Sequence, residues 1–214
     1  MVLTNRWMVT VASKERFDKD YYQRFYFDAR TSVTSRAEMN ARGRLIAAFA
    51  DHVGQPVKRI LDAGCGVGLL RAPLKRAWPK AEYVGYEVSE YLCKRYGWRQ
   101  GGLQELTTRE QFDVVICYDV MQYLKPAEAR QAFANLGRVC RGVLYFGTLT
   151  REDWEENCDQ SRTDPAVMLR TGRWYRQQLS KYFLHMGAGF WLRRDTPLYV
   201  WEMDTAGVRV KTAT

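Results

Sequence analysis

Residues 57–70 read Val57-Lys-Arg-Ile-Leu-Asp-Ala-Gly-Cys-Gly-Val-Gly-Leu-Leu70. An apolar run closes on Asp62, glycines follow at alternate positions (Gly64, Gly66 and Gly68), and a helical pattern begins at once. Glycines at such a turn let the backbone bend sharply and approach a ligand with no Cβ in the way. A helix start just beyond adds free N–H groups and a positive dipole end. The stretch therefore predicts a strand, a ligand-binding turn and a helix. A dinucleotide turn has the form G-x-G-x-x-G. Here position 69 is Leu, so the third glycine comes one place early and that fingerprint is broken.

Working outward, short apolar runs alternate with amphipathic segments from Val57 to about Thr150. The pattern predicts strands at Arg59–Asp62, Ala81–Glu87, Phe112–Tyr118 and Gly142–Thr148, and helices at Gly68–Trp78, Ser89–Tyr96 and Pro126–Gly137. Such alternation implies a parallel sheet with right-handed crossovers. Residues 14–56 read as helical: Arg16–Asp28 is dense in aromatics, and Ser35–His52 carries an apolar stripe closed by Gly54 and Pro56. Thr150–Asp164 is polar and acidic and reads as a loop or lid. A helix at Trp174–Tyr182 and strands at Gly187–Arg194 and Leu198–Asp204 follow, with Arg193–Pro197 as the turn of an antiparallel pair. Residues 1–13 show no period. The expected organisation is an N-terminal helical cap over 1–56, a ligand-binding domain over 57–204 and a flexible tail over 205–214.

The chain has 214 residues, 46% hydrophobic and 27% charged, which excludes a disordered or coiled-coil protein. Its apolar runs fall far short of the ~18 residues of a membrane span, and none follows Met1 as a secretory leader would. The five cysteines lack metal spacing and there are two histidines, so no metal site is expected and a reducing, cytoplasmic setting fits. The net charge of +9 permits an anionic partner such as nucleic acid. The basic excess, however, lies on Lys58, Arg59, Arg71, Lys75, Arg76 and Lys80, and reads as a solvated back face rather than a groove.

Two further segments join the glycine turn. The next strand ends in Glu87, where a carboxylate can accept hydrogen bonds from both hydroxyls of an adenosine ribose. Phe112-Asp-Val-Val-Ile-Cys-Tyr-Asp-Val-Met-Gln-Tyr-Leu124 is a run apolar on both faces, as a central parallel strand should be. Together with the closing pair of strands, these segments resemble the class I S-adenosylmethionine-dependent methyltransferases. The resemblance implies an α/β, Rossmann-like fold: a mostly parallel seven-stranded sheet with an antiparallel C-terminal hairpin and helices on both faces. It also implies S-adenosyl-L-methionine as cofactor, with the Asp62, Gly64, Cys65, Gly66 and Gly68 turn beneath its amino-acid and ribose part. Glu87 then takes the ribose hydroxyls and Val88 the adenine face. Tyr118 and Asp119 face the methionine end. Many members hold the adenine amino group with an Asp near the third strand; this chain has none there, and Leu103 or Gln104 is left to cover adenine. Tyr123 stands where a His is common.

Methyl transfer from a sulfonium is a direct displacement that relies on alignment, so the absence of a fixed catalytic signature is compatible with it. Neither an Asn/Asp-Pro-Pro-Tyr/Phe nor a Pro-Cys motif is present, and no catalytic residue is assigned. Cys65 is expected to pack rather than react. The candidate substrate residues are Tyr22 and Tyr26 in the aromatic segment, Tyr123, Trp154 in the acidic loop, and Arg173 with Tyr175 near the last helix. A small-molecule acceptor is the leading reading. The alternative is a basic RNA-associated protein on the same fold, either an RNA methyltransferase or a binding module without turnover. A nicotinamide-dependent oxidoreductase is disfavoured by Leu69 and by the lack of a hydride-transfer constellation.

Overall fold

Alternation of side chains along each central strand sends apolar residues to both faces of one sheet. In the computed structural model, which describes residues 14–198 and 200–205, Leu61 and Ala63, Val115 and Cys117, and Leu144 and Phe146 join one apolar cluster. Ile60, Val114 and Ile116, and Val143 and Tyr145 join the other. This is period-two alternation with both faces covered, as a parallel sheet between helices requires.

The strands are β1 (Arg59–Ala63), β2 (Glu82–Glu87), β3 (Arg99–Gln100), β4 (Phe112–Tyr118), β5 (Cys140–Gly147), β6 (Phe183–Gly187) and β7 (Phe190–Arg193). Their order is β3-β2-β1-β4-β5-β7-β6. Pairings from β3 through β5 are parallel, and β7 runs antiparallel to both β5 and β6. The helices are α1 (Lys19–Tyr22), α2 (Arg36–His52), α3 (Arg71–Ala77), α4 (Glu90–Tyr96), α5 (Pro126–Val139), α6 (Arg151–Glu156) and α7 (Gly172–Leu179). Phe133 and Leu136 of α5 and Tyr175 and Leu179 of α7 cover one face, and Ile46 of α2 and Leu74 of α3 cover the other. Gly43 of α2 makes that second layer close-packed, since a Cβ there would stand 2.6 Å from Pro73 of α3.

The fold class matches the expectation, and three local readings need correction. The C-terminal hairpin lies earlier than Gly187–Asp204. Its turn is Gly187-Ala188-Gly189, all three at positive φ, rather than Arg193–Pro197. Within Leu198–Asp204 the described residues form no strand, and Glu202–Asp204 is a 3-10 turn. Part of the acidic segment read as a loop is helical, because Thr150 and Asp153 form a reciprocal capping box at the start of α6. Finally, α3 starts at Arg71 rather than Gly68. The unpatterned start (1–13) and the expected tail beyond Thr205 lie outside the described residues. Among the described residues no helix is long and apolar enough to cross a membrane.

Candidate active site

The carboxyl ends of β1, β2 and β4 converge on a cleft, where open α/β sheets bind ligands. The glycine turn is fixed to β2 by its own backbone. Gly64 and Cys65 N–H groups both donate to the Tyr86 carbonyl, at 2.7 and 3.2 Å. The turn needs glycine at Gly64, where φ is +83° and a Cβ would lie 2.2 Å from Val120 Cγ2. At Gly66 φ is +51° and a Cβ would meet nothing within 4 Å, so a side chain there would stand in the open cleft. Gly68 lies against the Trp98 ring, and Trp98 Nε1 donates to the Gly66 carbonyl at 3.0 Å.

Glu87 ends β2 and is 4% exposed. Its Oε2 accepts from Gly66 N–H at 2.8 Å. Its Oε1 accepts from Val88 and Ser89 N–H at 2.9 and 3.0 Å, and from the Tyr22 hydroxyl at 3.3 Å. Burial raises its pKa, opposed by the three amides. Asp62, at the end of β1, is buried and accepts from the Tyr83 hydroxyl; burial pushes its carboxyl up to about 7.

Two adjoining cavities open here. One, of about 510 Å³, is bordered by Gly64, Gly66, Glu87, Val88, Leu103 and Gln104. Gln104 Oε1 is buried there without a hydrogen-bond donor. The other, of about 350 Å³, is bordered by Asp62, Cys65, Arg42, Gln122 and Asp164 among others. Tyr21, Tyr26, Tyr118, Asp119 and Tyr123 border both. Cys65 is buried, and its thiol is raised far above the usual range, which suits packing and not nucleophilic chemistry.

The N-terminal segment roofs the cleft. After α1 the chain makes one π-helical turn, Gln23–Phe27. Arg16 pairs with Asp164 and donates to the Ala166 carbonyl at 3.0 Å, while Arg162 donates to the Ser32 carbonyl at 2.5 Å. Tyr21 and Tyr123 hydroxyls meet at 3.0 Å. Burial raises both phenols, so they are neutral hydrogen-bonding groups and not bases at neutral pH. Asp119 follows β4 at a φ of 61°, a strained setting for a non-glycine residue. Gln122 Nε2 donates to it, and Gln122 Oε1 takes the Thr148 hydroxyl at 2.7 Å.

Nine of the ten residues expected at the cofactor lie in or on the turn, the β2 end or the β4 end, and Leu103 lies in the 3-10 turn after β3; Gly68 alone borders neither cavity, being packed under Trp98. Of the candidate substrate residues, Tyr22, Tyr26 and Tyr123 border the cleft. Trp154, Arg173 and Tyr175 border neither cavity. Tyr175 is 3% exposed inside the core, because α7 begins early enough to turn it inward beside Phe133 and Phe146. Arg42 and Asp164 are additions the sequence reading missed. Arg42 carried a signal, since it sits in the buried stripe Met39–Gly43–Ile46 of α2 where a charge is out of place. Asp164 carried none.

Residues 61–142 match the family model described as a methyltransferase domain. Over that stretch the chain is similar to a methyltransferase domain. Its curated relatives include a malonyl-[acyl-carrier protein] O-methyltransferase of Anoxybacillus flavithermus, 27% identical over 67% of this chain and 58% of that one. A ubiquinone biosynthesis O-methyltransferase of Azoarcus is 33% identical over 47% of this chain and 48% of that one. The chain thus spans about half the length of the curated relatives it matches. The chain also shares its fold with N-methyltransferase NodS of Bradyrhizobium japonicum, solved with S-adenosyl-L-homocysteine. That match has a TM-score of 0.57 at 14% identity and covers 83% of this chain and 98% of that one.

Proposed function

We propose that the protein is an S-adenosyl-L-methionine-dependent methyltransferase acting on a small-molecule acceptor in the cytosol. The observation that carries the reading is Glu87, a buried carboxylate bound to Gly66 N–H at the lip of a cavity. It stands where a ribose needs an acceptor. The donor set fits the cofactor in two other respects. Gly66 leaves open space for it, and Gln104 Oε1 is an orphaned buried acceptor beside Val88 and Leu103, suited to an adenine amino group. Tyr118 and Asp119 would face its methionine end, where the methyl is carried. When bound, the cofactor supplies an activated methyl on a sulfonium.

The protein's own work is alignment and exclusion of water. Orientation and proximity can supply ~7–11 kcal/mol of the barrier. The Gly66–Glu87 and Trp98–Gly66 bonds hold the turn rigid, and Gln122 fixes Asp119 at the seam of the two cavities. The N-terminal roof, latched through Arg16 and Asp164, closes the cleft. The five cysteines are all free thiols, which supports a reducing compartment. Ion pairs of Arg59 with Glu82 and Glu110 and of Arg141 with Asp113 occupy basic side chains at the far end of the sheet, and Arg99 is paired with Glu110. They support a small-molecule acceptor over a nucleic-acid one. Incubation with tritiated-methyl cofactor and a fractionated cell extract tests this. Label is expected in the small-molecule fraction; label confined to RNA or protein contradicts the small-molecule reading.

A further inference from the structure

The roofed cavity of about 350 Å³ is unbalanced in charge. Among the described residues that line it stand Glu38, Asp62, Asp119 and Asp164 against a single cation, Arg42. Arg42 is already engaged: Nε donates to the Tyr145 hydroxyl at 3.1 Å, and the guanidinium lies 4.0 Å from the Tyr118 ring centroid. Glu38 is committed to the α2 cap, accepting from Ser35 N–H at 2.7 Å. Asp62 accepts from Tyr83. Asp164 is different. It is 4% exposed; its Oδ1 takes Arg16 and the Ala166 N–H, while its Oδ2 is buried and accepts from no group. A buried carboxylate oxygen without a donor is costly, and a donor is what a ligand would bring. The rings of Tyr21, Tyr26 and Tyr123 border the same space.

A surplus of carboxylates beside aromatic faces is the chemistry that recognises a cation. It disfavours an anion: carboxyl groups outnumber the guanidinium groups at the cavity, and both of these are engaged, Arg42 with Tyr145 and Arg16 with Asp164.

We propose that the methyl acceptor is a small amine, held as its ammonium by Asp164 Oδ2 among the rings of Tyr21, Tyr26 and Tyr123, with Asp119 receiving its proton. The inference rests on the methyltransferase reading above and names its acceptor class. An ammonium has no lone pair, so one proton must leave before transfer. Asp119 borders both cavities, at the seam where acceptor and methyl donor meet. Burial holds its carboxyl above the ordinary carboxylate range, against the Gln122 hydrogen bond, which makes it the better proton acceptor. The amine nitrogen then bonds to the methyl carbon as the carbon–sulfur bond breaks. The electron pair stays on sulfur, and the proton passes from Asp119 to water.

The test is calorimetry on the full chain in the presence of S-adenosylhomocysteine. The probes are propylamine and benzylamine, with propanol, benzyl alcohol, propanoate and benzoate as matched neutrals and anions. At least one amine is expected to bind about tenfold or more tighter than its alcohol and carboxylate counterparts. Asp164→Asn should erase that preference while still binding S-adenosylhomocysteine, which also shows that the variant is folded. Arg16→Ala, which breaks the latch but keeps Asp164, should retain the preference. Equal or tighter binding of the alcohols or carboxylates overturns the inference, as does binding of none of the six. Loss of the preference in Arg16→Ala overturns it too, since Asp164 would then act only through the latch. Failure of the wild-type chain to bind S-adenosylhomocysteine would instead sink the methyltransferase reading itself.

Discussion

Glu87 concentrates the site's chemistry in one side chain. Three backbone amides and one phenol converge on it, so the folded chain holds a buried carboxylate ready to accept more. Hydrogen bonds to charged groups contribute about 1.5–3 kcal/mol each. Glu87→Gln should therefore weaken S-adenosylhomocysteine binding about tenfold or more, read by titration calorimetry, with the fold retained. Asp62 gives a pH signature. Its carboxyl rises from an ordinary 3.8 to about 7 on folding, through burial. The folded chain thus holds a proton there that the unfolded chain releases. Its contribution to stability is full below pH 3.8 and is lost as pH rises through 7. Asp62→Asn should flatten this part of the pH dependence, measured by urea unfolding from pH 4 to 8. At this scale the sequence disclosed the residues whose position follows from a strand end, namely Asp62, Glu87 and Asp119. It did not disclose Asp164, because the contact with Arg16 spans most of the chain and no local spacing encodes it.

Among elements, α2 and α3 show how tightly the site is backed. The Gly43–Pro73 contact sets their separation, and both helices lie behind the glycine turn. Gly43→Leu should destabilise the protein by about 1–3 kcal/mol through overpacking, seen as a lower urea midpoint with an unchanged slope. Helix positions were legible from apolar spacing and caps: Ser35 caps α2 and Ser89 caps α4, as their place before the stripes suggested. The misreadings have local causes. The α6 capping box was present in sequence as Thr150-x-x-Asp153 but lay in an acidic run that reads as a loop. The hairpin turn was hidden because Gly187-Ala-Gly189 needs positive φ at Ala188, which composition does not announce. β3 went without a range in the sequence because it holds only two residues, Arg99 and Gln100, paired with Tyr86 and Glu87.

Over the whole molecule, the order β3-β2-β1-β4-β5-β7-β6 brings the ends of β1, β2 and β4 together. The three informative segments, far apart in sequence, thereby become one cleft. Strand–helix alternation with right-handed crossovers admits few arrangements, and this order is one of them. The roof formed by residues 14–35 did not follow, because aromatic content predicts packing but not against what. The net charge of +9 carries less weight as a sign of an anionic partner, because Arg59 and Arg141 are paired at the end of the sheet away from the cleft and Arg99 is paired with Glu110.

We propose that the cleft at the glycine turn binds S-adenosylmethionine. Calorimetric titration of the full chain with S-adenosylhomocysteine tests it most directly. One-site binding with a dissociation constant of about micromolar order is predicted for the wild type. Gly66→Val, which places a side chain in the open cleft at a φ of +51°, should abolish the binding while keeping a cooperative melt. Absence of binding by the wild type, or undiminished binding by Gly66→Val, would contradict the account.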